Sequence, residues 1–551
     1  MFPSRQFIQH AVQAILILVT ATLTTFAVRG AYARHVRRRA LRSVRGPPNP
    51  SFFTGNLPDL YSATGLPSFN ALSQYGRVTK VHGLFGDVIL VITDPSALAD
   101  VLIKNVTTFP AIDISGSLDL MRYLFGPGLI ASNGPEHRRQ RKLLNPSFSS
   151  AQIKRLAPLV QDVAFQLRAA LSEQVARDAH EEREPEREVE LEGLLGSAAL
   201  DMISRAAFGH SWSAMEGDGG EYVRAVKDLS PVLGALGSVV PIFILSGGAH
   251  LPSGVLRLAG AAISLISPSL RHLLHIEAVY RREIQAVVSK ARNAWRNESS
   301  QPSLDLLGAL FDAGDTGRAS DEEICAQAST LVFGGTETTS TILCRILHQL
   351  ALDPSLQDRL REEIMDARRS QEGGEESLSY DGLMALPLLD AVCKETLRVF
   401  APLPFRNRHS VRESVLSLSD GTSLYVPKGT EILVNIHGVN MDEEIWGSDA
   451  QVWRPRRWLD PLPTSLLKAK VPGLYSHLLT FAGGIKGCIG FNFSIMEMKT
   501  VLATLVPAFA FSLSTEHEIE WKFASLITPG IKGGTDLHPG MPLRVKLLAD
   551  E

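Results

Sequence analysis

Cysteine is scarce and scattered in this sequence: 551 residues hold four, Cys325, Cys344, Cys393 and Cys488, and no two form a CxxC pair. That excludes a disulfide framework, argues against a structural zinc site and suits a reducing compartment. An excess of one charge is also missing, since 55 basic and 58 acidic residues leave a formal net charge of -3. Such a balance gives no reason to expect nucleic acid or a strongly charged substrate. No internal repeat and no break in composition divides the chain, although its length would allow three or four domains. Hydrophobic residues make up 45%, enough for a large core.

One long apolar run stands out. Residues 11–28 read AVQAILILVTATLTTFAV, near the lower length limit for a helix that crosses a bilayer. Arg29, Arg34, Arg37, Arg38, Arg39, Arg42 and Arg45 follow it and only Arg5 precedes it, so the positive-inside rule places the C-terminal bulk in the cytoplasm. A cleaved signal peptide would carry its basic residues ahead of the apolar stretch. Residues 1–45 therefore read as a single-pass membrane anchor with a basic juxtamembrane segment, and 46–551 as the body. Between them Gly46-Pro47-Pro48-Asn49-Pro50 stops any helix and reads as a stiff spacer.

Within the body, residues 76–95 pattern as short strands, with Val88–Ile92 ended by Thr93-Asp94-Pro95. From about 135 to 210 the pattern is helical, interrupted by the charged run Asp178–Glu192, which reads as a solvated loop. Residues 229–270 are unusually apolar; core packing is the default, and a lid or second membrane contact the alternative. Ser320 and Glu323 have the form of a capping box, opening a long helix that Asp353-Pro354 ends after Leu352. Helices fit 355–369, 381–400 and 489–505, and residues 411–436 alternate like strands around a Pro427-Lys428-Gly429 turn. The fold class is mostly α with a small β region.

Four constellations carry chemistry. Phe481-Ala482-Gly483-Gly484-Ile485-Lys486-Gly487-Cys488-Ile489-Gly490 puts a thiol just ahead of a helix, where unpaired amides and the helix dipole favour a thiolate. The glycines would let backbone approach a flat cofactor. Taken alone, an incidental cysteine in a Gly-rich turn is the commoner meaning. Mid-helix, Phe333-Gly334-Gly335-Thr336-Glu337-Thr338-Thr339 holds two glycines that cost about 1 kcal/mol each relative to alanine. Something should need that space, unless the helix is merely bent with threonines bonded to their own backbone. Glu395 and Arg398 lie three apart on one helix face, with Pro455-Arg456-Arg457-Trp458 downstream. Finally, His137 and Arg141 share a basic helix that opens at Gly134-Pro135, and Arg408 follows Pro402 and Pro404.

Together, in this order and spacing, these stretches resemble the motifs of the cytochrome P450 family, from about residue 46 to the end. Phe481, Gly484, Cys488 and Gly490 match its haem-binding signature, with Lys486 where arginine is usual; the charge stays and the fork geometry goes. The resemblance implies the cytochrome P450 fold behind an N-terminal transmembrane helix, with haem b (iron protoporphyrin IX) ligated by Cys488. It implies that Thr338 steadies dioxygen, that Glu337 relays protons, and that Arg141, Arg408 and Lys486 face the haem propionates. Glu395, Arg398 and Arg457 would form a structural network, lacking one local salt bridge because Arg456 replaces the usual acid. His137 stands where the family has tryptophan.

The implied activity is an NADPH- and O2-dependent monooxygenase of the fungal type, fed by an NADPH–cytochrome P450 reductase on the endoplasmic reticulum membrane. Its substrate would be a lipophilic small molecule, with a terpenoid or polyketide of secondary metabolism as the candidate. Candidate pocket walls are 110–125, 229–250, Val332, Phe333 and Leu403–Phe405. A haem-thiolate isomerase or dehydratase that needs no reductase and a non-catalytic haem protein are the competing readings.

Overall fold

The computed structural model describes residues 21, 24, 25, 28–112, 118–177, 186–215, 220–236, 260, 262–297, 306–371, 377–523, 526–534 and 538–548. Its centre is the helix Asp321–Leu352. Ser320 caps it by accepting a hydrogen bond from the Glu323 amide at 3.1 Å, while the Glu323 carboxylate pairs with Arg139 at 2.8 Å. The helix ends at Asp353, whose side chain caps Pro354–Arg369. At about 1.5 Å per residue its 32 residues run through the whole body. Leu191–Phe208, almost entirely buried, packs along it. That approach needs Gly335, because a Cβ there would sit 2.9 Å from Ile203 Cγ1.

The helix expected over 381–400 is two, Tyr380–Ala385 and Pro387–Val399. Leu386 is extended because the residue before a proline is driven out of the helical region. The closing helix is Phe491–Ala508. The four helices that reach the site are thus the basic helix Gly134–Leu144, the central helix, Pro387–Val399 and this last one.

Eleven short strands are described: β1 (Val78–His82), β2 (Val88–Ile92), β3 (Arg187–Glu190), β4 (Phe405–His409), β5 (Ser414–Ser417), β6 (Ser423–Val426), β7 (Glu431–Asn435), β8 (Phe509–Leu513), β9 (Ile519–Phe523), β10 (Ile527–Ile531) and β11 (Pro542–Leu547). The main sheet runs β1-β2-β7-β4, with β2 and β7 parallel and the other pairs antiparallel. Part of the charged run read as a loop is β3, paired with β11; residues 178–185 lie outside the described residues. Alternation along β4 sends Phe405 one way, into a small core with Phe69 and Phe523, and Arg406 with Arg408 the other.

The basic segment is not separate from the body. Residues 28–40 are helical, Arg37 pairs with Asp87, and Leu41 and Val44 are buried in the main core. Gly46 lies flush against β1, where a Cβ would meet the Lys80 carbonyl oxygen at 1.9 Å, so the expected spacer is packed backbone. Among the described residues no helix is long and apolar enough to cross a membrane. Most of the expected anchor, including 11–20, lies outside them, as do 113–117 and 237–250 of the candidate pocket walls.

Candidate active site

Of the four cysteines only Cys488 is exposed. It lies two residues before Gly490, the N-cap of Phe491–Ala508. The residue keeps an accessible surface although protein surrounds it closely. Burial pushes the thiol's pKa up; the Gly490 amide, Arg406 and Arg141 pull the other way without overcoming it. The expected stabilisation of a thiolate by the helix start is therefore present and outweighed in the protein alone. A bound cation would reverse that balance, since metal coordination deprotonates a thiol.

Two of the loop's glycines lie tight against protein backbone. A Cβ at Gly483 would meet the Pro472 carbonyl oxygen at 1.7 Å, and one at Gly484 the Leu102 carbonyl oxygen at 2.1 Å. They let the loop press against protein, and Gly484 also has φ +66°. Phe481 anchors the loop from below: its carbonyl accepts the Cys488 amide at 2.9 Å, and its ring packs against Tyr475 and Phe491.

Four cations converge on this loop. Arg141 donates to the Gly487 carbonyl and, at 2.9 Å, to Asn145 Oδ1, so it braces the loop directly. Lys486 donates to the Ser132 carbonyl; burial, with Arg408, Arg406 and Arg141 nearby, lowers its pKa to about 7. Arg408 is buried and lowered to about 10 by burial and by Arg406. Arg406 is lowered by burial and lies within electrostatic reach of Cys488. Among the described residues no carboxylate pairs with any of the four. His137, in the same buried neighbourhood, is driven down to about 3 by burial, Lys486 and Arg141 and is neutral. Arg408 is buried, Arg141 and Lys486 are half-buried and Arg406 is exposed; cations gathered this closely without acids are costly, so this cluster fits a dianionic group such as the two propionates of a haem. Arg406 escaped the sequence reading, although period-two alternation puts it on the same face as Arg408.

The central helix supplies the facing wall. Gly334 is exposed in mid-helix, and a Cβ built there meets nothing within 4 Å, so its face borders open space. Thr338 Oγ1 donates back to the Gly334 carbonyl at 2.8 Å, so part of the bland reading of this stretch holds. Thr339 Oγ1 lies 3.3 Å from Ser494 Oγ, joining this helix to the first turn after the cysteine loop. Phe333 packs on Phe125, with ring centroids 4.5 Å apart, while Phe405, expected as pocket wall, is buried in the other core. Glu337 accepts from the Ser230 hydroxyl and amide, and burial raises its carboxyl to about 7.

Below the loop, Glu395, Arg398 and Arg457 come together with no solvent access to speak of. Glu395 accepts from Arg398 at 2.9 and 2.7 Å, from Arg457 at 3.3 Å and from Trp458 Nε1 at 2.9 Å. Arg456 is exposed, and the acid missing beside it is made good by Asp449, 2.9 Å from Arg457.

The family model described as Cytochrome P450 matches residues 45–532. Cytochrome P450 monooxygenase 81 of Postia placenta is 36% identical over 533 residues, 93% of this chain and 94% of that protein. A ganoderic acid synthetase of Ganoderma lucidum is 33% identical, covering 97% and 99%. The monooxygenase eriI of Hericium erinaceus is 30% identical over 99% of each. Family members bind haem b through a cysteine thiolate, and a cysteine loop, an unpaired cation cluster and a glycine-cleared helix face are what such a group requires. The chain belongs to the cytochrome P450 family, among its monooxygenases.

Proposed function

We propose that this protein is an NADPH- and O2-dependent monooxygenase that oxidises a lipophilic small molecule of fungal secondary metabolism, a terpenoid or polyketide. The observation that carries the reading is the exposed Cys488 thiol beside four cations that lack acidic partners. Haem held there would supply the oxygen activation. Cys488 would ligate its iron, while Arg408 and Lys486, with Arg141 bracing the loop, would hold the propionates. Phe481, Gly484 and Gly490 shape the loop that presents the thiol. Glu337 keeps a proton near neutral pH, and Thr338 offers a hydroxyl on the open face beside Gly334. Glu395, Arg398 and Arg457 fix the floor beneath.

The relatives named for ganoderic acid synthesis and as eriI support a secondary-metabolite substrate. Phe125 and Phe333 support an apolar one. We place the protein on the endoplasmic reticulum membrane through a single span in 11–28, the catalytic domain 46–551 facing the cytoplasm and an NADPH–cytochrome P450 reductase. Exposed Phe52, Phe53, Leu265 and Ile266 support contact with a lipid surface.

The test is oxygen uptake by the haem-loaded full chain with cytochrome P450 reductase. NADPH-dependent uptake is expected, and Thr338→Ala should divert more of it to hydrogen peroxide. Turnover of a lipophilic peroxide with no need for NADPH or oxygen would instead favour the isomerase reading.

A further inference from the structure

Behind the central helix, on the side away from the exposed face of Gly334, lies a second hollow of about 210 Å³. It is enclosed by Leu191–Phe208, Gly220–Leu236, the central helix and the segment before β11. Its mouth carries the exposed side chains of Lys227 and His538, and Thr336 and Glu337 form its inner end. Glu192 lines it between the two, its carboxylate 3.7 Å from where a Cβ on Gly196 would stand. The space is large enough for several water molecules, and Glu192, Lys227, Thr336, Glu337 and Ser340 offer polar groups within a lining that is otherwise largely apolar.

The two carboxyls differ from the other acid of the hollow. Glu190 is spent on structure, accepting the amides of Glu192 and Gly193 at 2.9 Å each and that of Met541 at 2.8 Å. Among the described residues the Glu192 carboxylate has no such backbone partner. Burial raises it to about 8, with Glu190 and Glu337 adding repulsion and Lys227 opposing them. Glu192 and Glu337 therefore feel each other's charge across the hollow, and both retain protons near neutrality.

The position of Glu337 on its helix completes the geometry. At about 100° per residue, Thr336 and Ser340 face the hollow while Gly334 and Thr338 face the cleft. Glu337 lies between these faces. It lines the hollow, and it is the residue next to Thr338.

We propose that this hollow is the inlet by which solvent protons reach the active site, with Glu192 handing them through water to Glu337. The proposal rests on the role given to Glu337 above. A proton that leaves Glu337 on the cleft side is replaced from the Glu192 carboxyl across the intervening water. Glu192 regains one from bulk water at the mouth. Only O–H bonds break and form, and no net charge accumulates.

The test compares Glu192→Gln, Glu192→Asp, Glu337→Gln and the plugging variant Val226→Phe in the haem-loaded full chain with reductase and NADPH, without added substrate. Glu192→Gln and Val226→Phe should each slow oxygen uptake by about tenfold or more and raise its solvent deuterium isotope effect. Glu192→Asp should recover most of the rate. Infrared titration of the protein alone gives an independent readout: Glu192→Gln should remove one protonated carboxyl band and lower the midpoint of the Glu337 band. Loss of flux in Glu337→Gln with none in Glu192→Gln or Val226→Phe overturns the inlet and spares Glu337. Full flux in all four overturns both. A Glu337 band unmoved by Glu192→Gln also overturns the proposal, because the two acids would then not share the hollow.

Discussion

Replacing Glu395 by glutamine keeps its shape and removes the one negative charge between two buried arginines. Among the described residues Arg398 has no other acid: its remaining bonds go to the carbonyls of Asn440 and Val452, each at 3.0 Å, and of Ala450. Arg457 keeps Asp449. The variant thus leaves close to one uncompensated buried charge, a change worth about 3–5 kcal/mol. Unfolding entropy of about 2.1 cal/mol/K per residue makes roughly 1.2 kcal/mol/K for 551 residues. The thermal midpoint of the haem-loaded protein should therefore fall by about 3–4 °C. Arg457→Lys, which retains a charge beside Asp449 and loses the fork, should cost less, about 1–3 kcal/mol. Circular dichroism melts at matched concentration read both. A Glu395→Gln midpoint within about 1 °C of the parent, or a larger loss in Arg457→Lys, would refute the reasoning that Arg398 depends on this carboxylate.

The glycine pair predicts opposite outcomes at adjacent positions. Gly335→Ala presses a methyl toward Ile203 and should destabilise by about 1–3 kcal/mol. Gly334→Ala, facing open space, should stabilise the ligand-free helix by up to about 1 kcal/mol in urea titrations. Glu337 gives a pH signature. Its folded pKa of about 7 exceeds the ordinary 4.5, so its contribution is fully present below pH 4.5 and is lost as pH rises to 7. Glu337→Gln should gain on the parent between pH 5 and pH 8 by on the order of 3 kcal/mol; equal differences at both pH values would contradict the assignment.

What the sequence made legible was local or periodic. The central helix announces itself through Ser320, Asp353 and a sustained 3.6 period, and its observed bounds follow those signals. Glu395, Arg398 and Arg457 could be named together only through the family resemblance, since an acid and an arginine one helical turn apart are common on any helix. What stayed hidden depends on packing between distant segments. No local pattern says that Gly483 abuts Pro472 and Gly484 abuts Leu102, and the same motif reads equally well as room for a cofactor. Asp449 takes the place of the acid missing beside Arg456 from the segment ahead of it. Phe405 counted as pocket wall because its stretch is apolar, yet strand alternation turns it to the second core and presents Arg406 instead. The joining of Glu192 to Glu337 needs two helices brought together, which only the fold provides.

The carbon monoxide difference spectrum of the reduced full chain, beside Cys488→Ala and Cys393→Ala, tests thiolate ligation most directly. A strongly red-shifted Soret band that survives loss of the buried Cys393 and vanishes with Cys488 is the result this account predicts. A band at the position of histidine-ligated haem, or one that persists without Cys488, would contradict it.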